Sequence, residues 1–210
     1  MMPRKQLAAW LLIFFAALIW SLITPHDYFT WFLEVVPALI AFVILASTFK
    51  IFPLTPLLYW LILAHAIVLM IGGHYTYAEV PLFNTIKEVF HQDRNNYDKV
   101  GHFMQGFVPA VVAREILIRK LHLSKQRWIF FLVVCICLAV SAFYELVEWW
   151  VAVATGDSAE AFLGTQGYAW DTQSDMMLAL IGAIVSLVLL RRLHDKQLSP
   201  LNKKHGNSTV

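Results

Sequence analysis

The sequence predicts an all-α fold, a polytopic transmembrane helical bundle of about six spans with both termini in the cytoplasm. Three observations carry this. Of the 210 residues, 59% are hydrophobic and 14% charged, with a mean hydropathy of +0.63, which leaves too little polar surface to coat a water-soluble domain. The apolar residues fall in long runs and not in period-two alternation, so of the two structures that satisfy a backbone in lipid, helices and closed barrels, helices are the ones indicated. The Lys and Arg residues, finally, cluster in alternate connections, the pattern that orients spans.

Six apolar stretches approach the roughly 20 residues that a span needs: 7–23, 31–48, 56–73, 100–117, 128–154 and 175–190. They define a single transmembrane domain over 1–194, followed by a polar cytoplasmic tail over 195–210. The first stretch, flanked by Arg4 and Lys5, reads as a retained span and not as a signal peptide, because its apolar part is long and no small-residue cleavage site follows. Arg4, Lys5, Lys50, Arg119, Lys120, Lys125, Arg127, Arg191 and Arg192 fall on one side of a six-span chain. The other side carries only Lys87, Arg94 and Lys99, and so faces away from the cytoplasm.

Two connections on that outer side are longer than a turn. In the first, Leu82, Phe83, Ile86, Val89 and Phe90 have the spacing of a short interfacial helix over 81–90. In the second, Asp157 and Glu160 have the form of a capping box for a brief helix before Gly164, after which Tyr168 and Trp170 suit an interfacial belt. The polar end, 202–210, is expected to be disordered. Cys135 and Cys137 lie two apart in an apolar run, where helical geometry points them in different directions, so they read as small hydrophobes. A formal charge of +2 gives no reason to expect a nucleic-acid partner; the partner the composition requires is the lipid bilayer.

An ionisable side chain at the centre of a span costs about 2.5–3.5 kcal/mol on insertion scales, so each one asks for a reason. Asp98, His102 and Gln105 form one stripe at the outer end of the fourth span, Glu145 and Glu148 share a face of the fifth, and Asp171 and Asp175 share a face at the entry to the sixth, beside Gln173. His74 ends the third span and Glu34 lies near the outer end of the second. Spans four and six run inward and span five outward, yet the three acidic groups lie at one depth, which predicts that they meet. His102, Glu145, Glu148 and Asp175 are the donor types that hold a divalent metal ion in helical bundles. The same groups suit a proton relay, and spacing alone leaves both open. Blander readings exist for several: Asp98 and Asp171 as helix-start acids, His65 as a satisfied mid-bundle histidine, Glu34 as an interfacial acid, and Arg114 as a snorkelling base near the inner surface.

The stretches Gly72–Pro81, Tyr97–Phe103, Phe143–Trp149 and Gly164–Met177 resemble the YjdF family of bacterial inner-membrane proteins, a likeness that covers most of the chain. It implies a multi-pass bacterial inner-membrane protein and no particular reaction. Asp98-Lys99-x-x-His102 together with Glu145 is also similar, more faintly, to VanZ-like membrane proteins, but Ala179 stands where that pattern would place an amide after Asp175. Three functional classes follow from the residues. They are a metal-assisted enzyme on a lipid-linked or envelope substrate, a small proton-coupled transporter, and a non-catalytic membrane component whose polar contacts join helices.

Overall fold

The computed structural model describes residues 2–156, 160–163 and 165–206. Among these, every regular element is helical: α1 (Arg4–Leu22), α2 (Tyr28–Thr48), α3 (Pro56–Tyr75), α4 (Pro81–Val89), α5 (Tyr97–Arg119), α6 (Gln126–Thr155), α7 (Glu160–Leu163), α8 (Asp171–Leu189) and α9 (Arg191–Gly206), with a single 3-10 turn at Tyr77–Glu79. Five of them, α1, α2, α3, α6 and α8, are long and apolar enough to cross a membrane. The sixth, α5, has the required length at 23 residues but carries charges at both ends. It is tolerated because it runs through the middle, packed against α3, α6 and α8, so its charged groups face protein and not lipid.

The bundle has a basal end, where Met2 is buried against Leu54 and Leu58 and where α9 docks through Gln197, whose Oε1 accepts from the Leu57 N–H at 2.9 Å. Its apical end carries α4, α7 and the starts of α5 and α8. Two apolar cores stack side by side. One joins α1, α2 and α3 around Trp10, Phe14, Val35, Leu58 and Met70; the other joins α5, α6 and α8 around Ala110, Ile129, Val133, Cys137 and Ala183. Leu12, Val43, Phe131, Val153 and Val188 point outward and are exposed, the pattern of a surface solvated by acyl chains.

Close approach of α5 and α8 sets the geometry of everything apical. A Cβ on Gly106 would sit 1.7 Å from the Ala179 carbonyl oxygen, and one on Gly182 would sit 2.1 Å from that of Phe103. The backbones therefore touch, as small residues allow in membrane bundles. A second device uses Tyr77, whose ring is wedged against Gly72 of α3 and Gly101 of α5; a Cβ would meet it at 2.2 and 2.8 Å respectively. Two prolines interrupt helix bonding at the same level. Pro37 in α2 and Pro109 in α5 lack the N–H that would bond the carbonyl four residues earlier, freeing the carbonyls of Leu33 and Gln105.

Several expectations are adjusted. The short helix expected over 81–90 is α4, Pro81–Val89, with Leu82, Val89 and Phe90 exposed. The brief helix before Gly164 is α7, while Asp157 of the expected capping box lies outside the described residues. Beyond Leu190 the chain stays helical to Gly206 where an unstructured end was expected from 202, since buried His194 and Leu198 anchor the preceding turns. Cys137 is buried, Cys135 exposed and both are free thiols.

Candidate functional site

At the apical end α5, α6 and α8 bring their acids together around one imidazole. His102 Nε2 lies 3.2 Å from Asp98 Oδ1 and 3.9 Å from Asp175 Oδ2, and its Nδ1 lies 3.8 Å from Glu145 Oε1. Two donor sets converge closely enough to hold an ion, Asp98–His102–Asp175 and His102–Glu145–Glu148, and they share the histidine. Asp98, His102, Glu145 and Asp175 are buried, and Glu148 is half-buried. The shared depth expected from alternating span direction is thus present in the structure, and the α5–α8 backbone contact is what brings Asp175 opposite His102.

A neutral imidazole presents one lone pair, so the two sets cannot both use it. Gln105 Oε1 lies 3.2 Å from His102 Nδ1, the same distance as Asp98 Oδ1 from Nε2, so each ring nitrogen has an acceptor within reach. A proton on Nδ1, donated to Gln105, leaves the Nε2 lone pair facing Asp98 and Asp175. This is how an outer-shell acceptor can fix the tautomer of a ligating histidine. Glu145 and Glu148 then lie on the other side of the ring.

Satisfaction is incomplete here. Glu145 Oε1 and Asp175 Oδ1 are buried without a hydrogen-bond partner among the described residues, as is Ser141 Oγ. An unpaired buried carboxylate oxygen is costly, and two of them beside one histidine leave room for a cation or for protons.

Other expected residues have different roles. Asp171 is taken by Arg94 of the apical loop, which contacts it closely and also reaches Asp98 Oδ2 at 3.4 Å. Gln173 is exposed on α8, away from the cluster. His74 is also separate, because its Nδ1 is held 3.2 Å from the Ser21 carbonyl and its ring packs 4.5 Å from those of Trp20 and Tyr75. It serves the α1–α3 junction.

Glu34 reverses its expected interfacial position. It is buried, the Tyr77 hydroxyl hydrogen-bonds to it, and it lines a cavity of about 210 Å³ with His65, Asp98, His102, Tyr144 and Glu148. His65 therefore borders the site as well. The signal that could have found Glu34 was its position one turn before Pro37, level with His102.

Gln166 and Tyr168, from the described part of the second apical connection, contact the loop that leads into α5. Gln166 and Asn95 exchange a reciprocal pair of hydrogen bonds, Asn95 N–H to Gln166 Oε1 at 3.0 Å and Gln166 Nε2–H to the Asn95 carbonyl at 2.8 Å. The Tyr168 ring lies 5.6 Å from the Arg94 guanidinium carbon and 5.5 Å from Lys99 Nζ. Asn95 further donates to the Val80 carbonyl and to Asn84 Oδ1, tying α4 to the same loop.

Residues 6–196 match the family model described as a predicted membrane protein family, DUF2238. The chain belongs to that family. It is also 53% identical over 181 residues, 86% of this chain and 87% of the relative, to inner membrane protein YjdF of Escherichia coli strain K12. No solved structure matches. With the apolar helices, these similarities make this DUF2238 protein a multi-pass bacterial inner-membrane protein in contact with the lipid bilayer. The stretches that carried the resemblance are the ones that build the apical site. Gly72 and Gly101 seat Tyr77, Asp98 and His102 join Glu145 and Glu148, and the segment from Thr165 to Asp175 supplies Gln166, Tyr168 and two acids.

Proposed function

We propose that the apical cluster binds a divalent cation and that the protein is a metal-assisted membrane enzyme acting on an amphiphilic, lipid-linked envelope substrate. The observation that carries this is the pair of unpartnered, buried carboxylate oxygens of Glu145 and Asp175 flanking His102. Asp98, His102 Nε2 and Asp175 supply the oxygen and nitrogen donors that a hard or borderline cation takes, with Gln105 holding the tautomer. Bound there, a cation would supply Lewis-acid chemistry, lowering the pKa of a coordinated water and polarising the scissile group. Glu148 would take the proton of the attacking water as its oxygen bonds to the electrophilic centre, and return it to the leaving oxygen as the bond between that oxygen and the centre breaks.

An apolar cavity of about 390 Å³ adjoins the polar one and shares Pro37, His65, Leu69 and Pro109 with it. A substrate with a polar head and an aliphatic chain matches that pair of compartments. The distribution of Lys and Arg supports basal termini in the cytoplasm and an apical site on the periplasmic side, with 1–194 forming one membrane domain and 195–210 its cytoplasmic extension.

Element analysis of the purified protein, after incubation with Mg²⁺, Mn²⁺ or Zn²⁺ and desalting, tests the reading against an Asp175→Ala variant. We expect roughly one ion per parent chain and a large loss in the variant, which lacks one of the oxygen donors. A parent chain without stoichiometric metal under all three conditions would overturn it. The four carboxyl groups around a two-faced imidazole favour a second reading, a proton-coupled carrier. Its test is acidification of dye-loaded vesicles, in which a Glu145→Gln variant must leak less than the parent.

A further inference from the structure

A further cavity lies at the other end of the bundle. It measures about 590 Å³ and opens between the end of α5, the start of α6 and the junction of α8 with α9. Its polar wall holds Arg114, Arg191, Arg192 and Asp195, and its apolar wall includes Phe130 and Val188. Asp195 is the single acid among these, and it already accepts from Arg114 at 2.5 Å and pairs with Arg191 at 3.8 Å. Arg192 is exposed and makes no ion pair among the described residues. The wall therefore carries a surplus of two positive charges, on guanidinium groups whose planar forks suit phosphate oxygens.

Position supplies the rest of the argument. Arg191 and Arg192 directly follow the last turn of α8, where Val188 and Leu189 are 66% and 68% exposed on the lipid-facing surface. Phe130, 42% exposed, stands opposite on α6. The cavity thus straddles the boundary between hydrocarbon and headgroups, basic toward the water and apolar toward the chains. Nothing in the apical site requires it, and the two are separated by the length of α8.

We infer that this basal cleft is a binding site for an anionic phospholipid of the surrounding leaflet, its phosphodiester held by Arg191 and Arg192 and one acyl chain lying between Phe130 and Val188. Basic pockets between spans on the cytoplasmic side are where anionic headgroups bind. A zwitterionic lipid presents the same phosphate together with a cation that the two arginines would repel. Arg114 has a positioning role, since its two bonds to His194 and Asp195 fix α9 against the bundle and so aim the arginines.

The test is native mass spectrometry of the full-length protein released from nanodiscs of equimolar phosphatidylglycerol and phosphatidylcholine with matched chains. An Arg191→Gln/Arg192→Gln double variant and a competition with inorganic phosphate run beside it. The expected result is one retained phosphatidylglycerol per chain, an affinity reduced roughly thirtyfold in the double variant at about 1 kcal/mol for each of the two juxtamembrane charges, and no displacement by phosphate. Because both arginines are exposed, an unchanged melting temperature of the delipidated double variant separates lost binding from lost folding. A melting temperature that falls is met with Arg192→Lys, which keeps the charge and must restore retention. Equal retention of the two lipids, or retention unchanged in the double variant, overturns the site. Displacement by millimolar phosphate overturns the lipid as its occupant.

Discussion

The two ends of α5 each carry buried charge, and they solve the problem in opposite ways. At the basal end Glu115 is fully enclosed and saturated. It accepts from the Thr55 N–H at 3.2 Å, the Thr55 hydroxyl at 2.9 Å, Arg119 at 2.5 Å and His194 Nε2 at 3.0 Å. Arg119 also donates to the Pro53 carbonyl and lies 4.0 Å over the Phe52 ring. His194 receives Arg114 at Nδ1, so its remaining proton is on Nε2 and points at Glu115. Charges balance there, Glu115 and Asp195 against Arg114 and Arg119. At the apical end six carboxyl groups, Glu34, Asp98, Glu145, Glu148, Asp171 and Asp175, gather around Arg94 and His102, and two of their buried oxygens have no partner among the described residues. One network is finished as a structure. The other leaves buried oxygens without a partner among the described residues, and that contrast is the physical basis for proposing function at the apical end.

The contrast is broken most severely at Glu115. Removing it by Glu115→Ala strands Arg119 and His194 inside the bundle, and loss of one member of a buried pair costs about 3–5 kcal/mol. We expect a large drop in the detergent melting temperature, or failure to accumulate folded protein. A loss below about 1 kcal/mol would show that water reaches this network and that it is not sealed.

Next in size is Gly106→Ala. The added methyl would lie 1.7 Å from the Ala179 carbonyl oxygen, so α5 and α8 must separate. Overpacking of this kind costs about 1–3 kcal/mol, and it also pulls Asp175 away from His102. The variant should lose cation retention more completely than it loses stability, and retention at the parent level would mean that the α5–α8 contact does not set the site.

Asp175→Asn sharpens the comparison further, because it predicts a change of the opposite sign. It removes one negative charge from an over-acidic cluster while keeping the shape, so without added cation the variant should melt at or above the parent temperature, by up to about 1 kcal/mol. With saturating cation the order should invert, since only the parent gains ligand stabilisation. A variant destabilised in both conditions would place Asp175 in the class of Glu115, as a structural contact.

How much of this was legible in the sequence differs between the two ends for a physical reason. Hydropathy located the spans because lipid acts on every residue of a run alike, and α5 was found despite its charges because its centre is apolar. The apical acids were found because chain direction converts spacing into depth, and Asp98, His102, Glu145 and Asp175 needed only that depth to meet. Lateral position was not legible. Glu34 reaches the cluster only because Gly72 and Gly101 leave space for Tyr77, a fact of packing between three segments. Arg114 read as a snorkelling side chain since its partners, His194 and Asp195, lie about 80 residues away. Asp171 looked equal to Asp175, and only the path of the apical loop gives it to Arg94.

The smallest expected effect concerns a lone acid that belongs to neither network. Asp27 caps α2, its side chain accepting from the Thr30 N–H at 2.6 Å, and that backbone hydrogen bond holds its carboxyl below the ordinary 3.8. A carboxyl depressed in the folded state stabilises above its unfolded pKa, and that contribution fades as pH falls through the folded value. Asp27→Ala should therefore lower stability at pH 7 by about 0.5–1 kcal/mol, at the low end for an exposed cap screened by salt, and parent and variant should converge in strong acid. Asp27 is exposed and held chiefly by the Thr30 N–H, so its pH response marks what a satisfied carboxylate contributes without burial. If the difference persisted unchanged below pH 3, the cap would be acting through packing and not through charge, and this acid would no longer serve as the reference for those at the apical site.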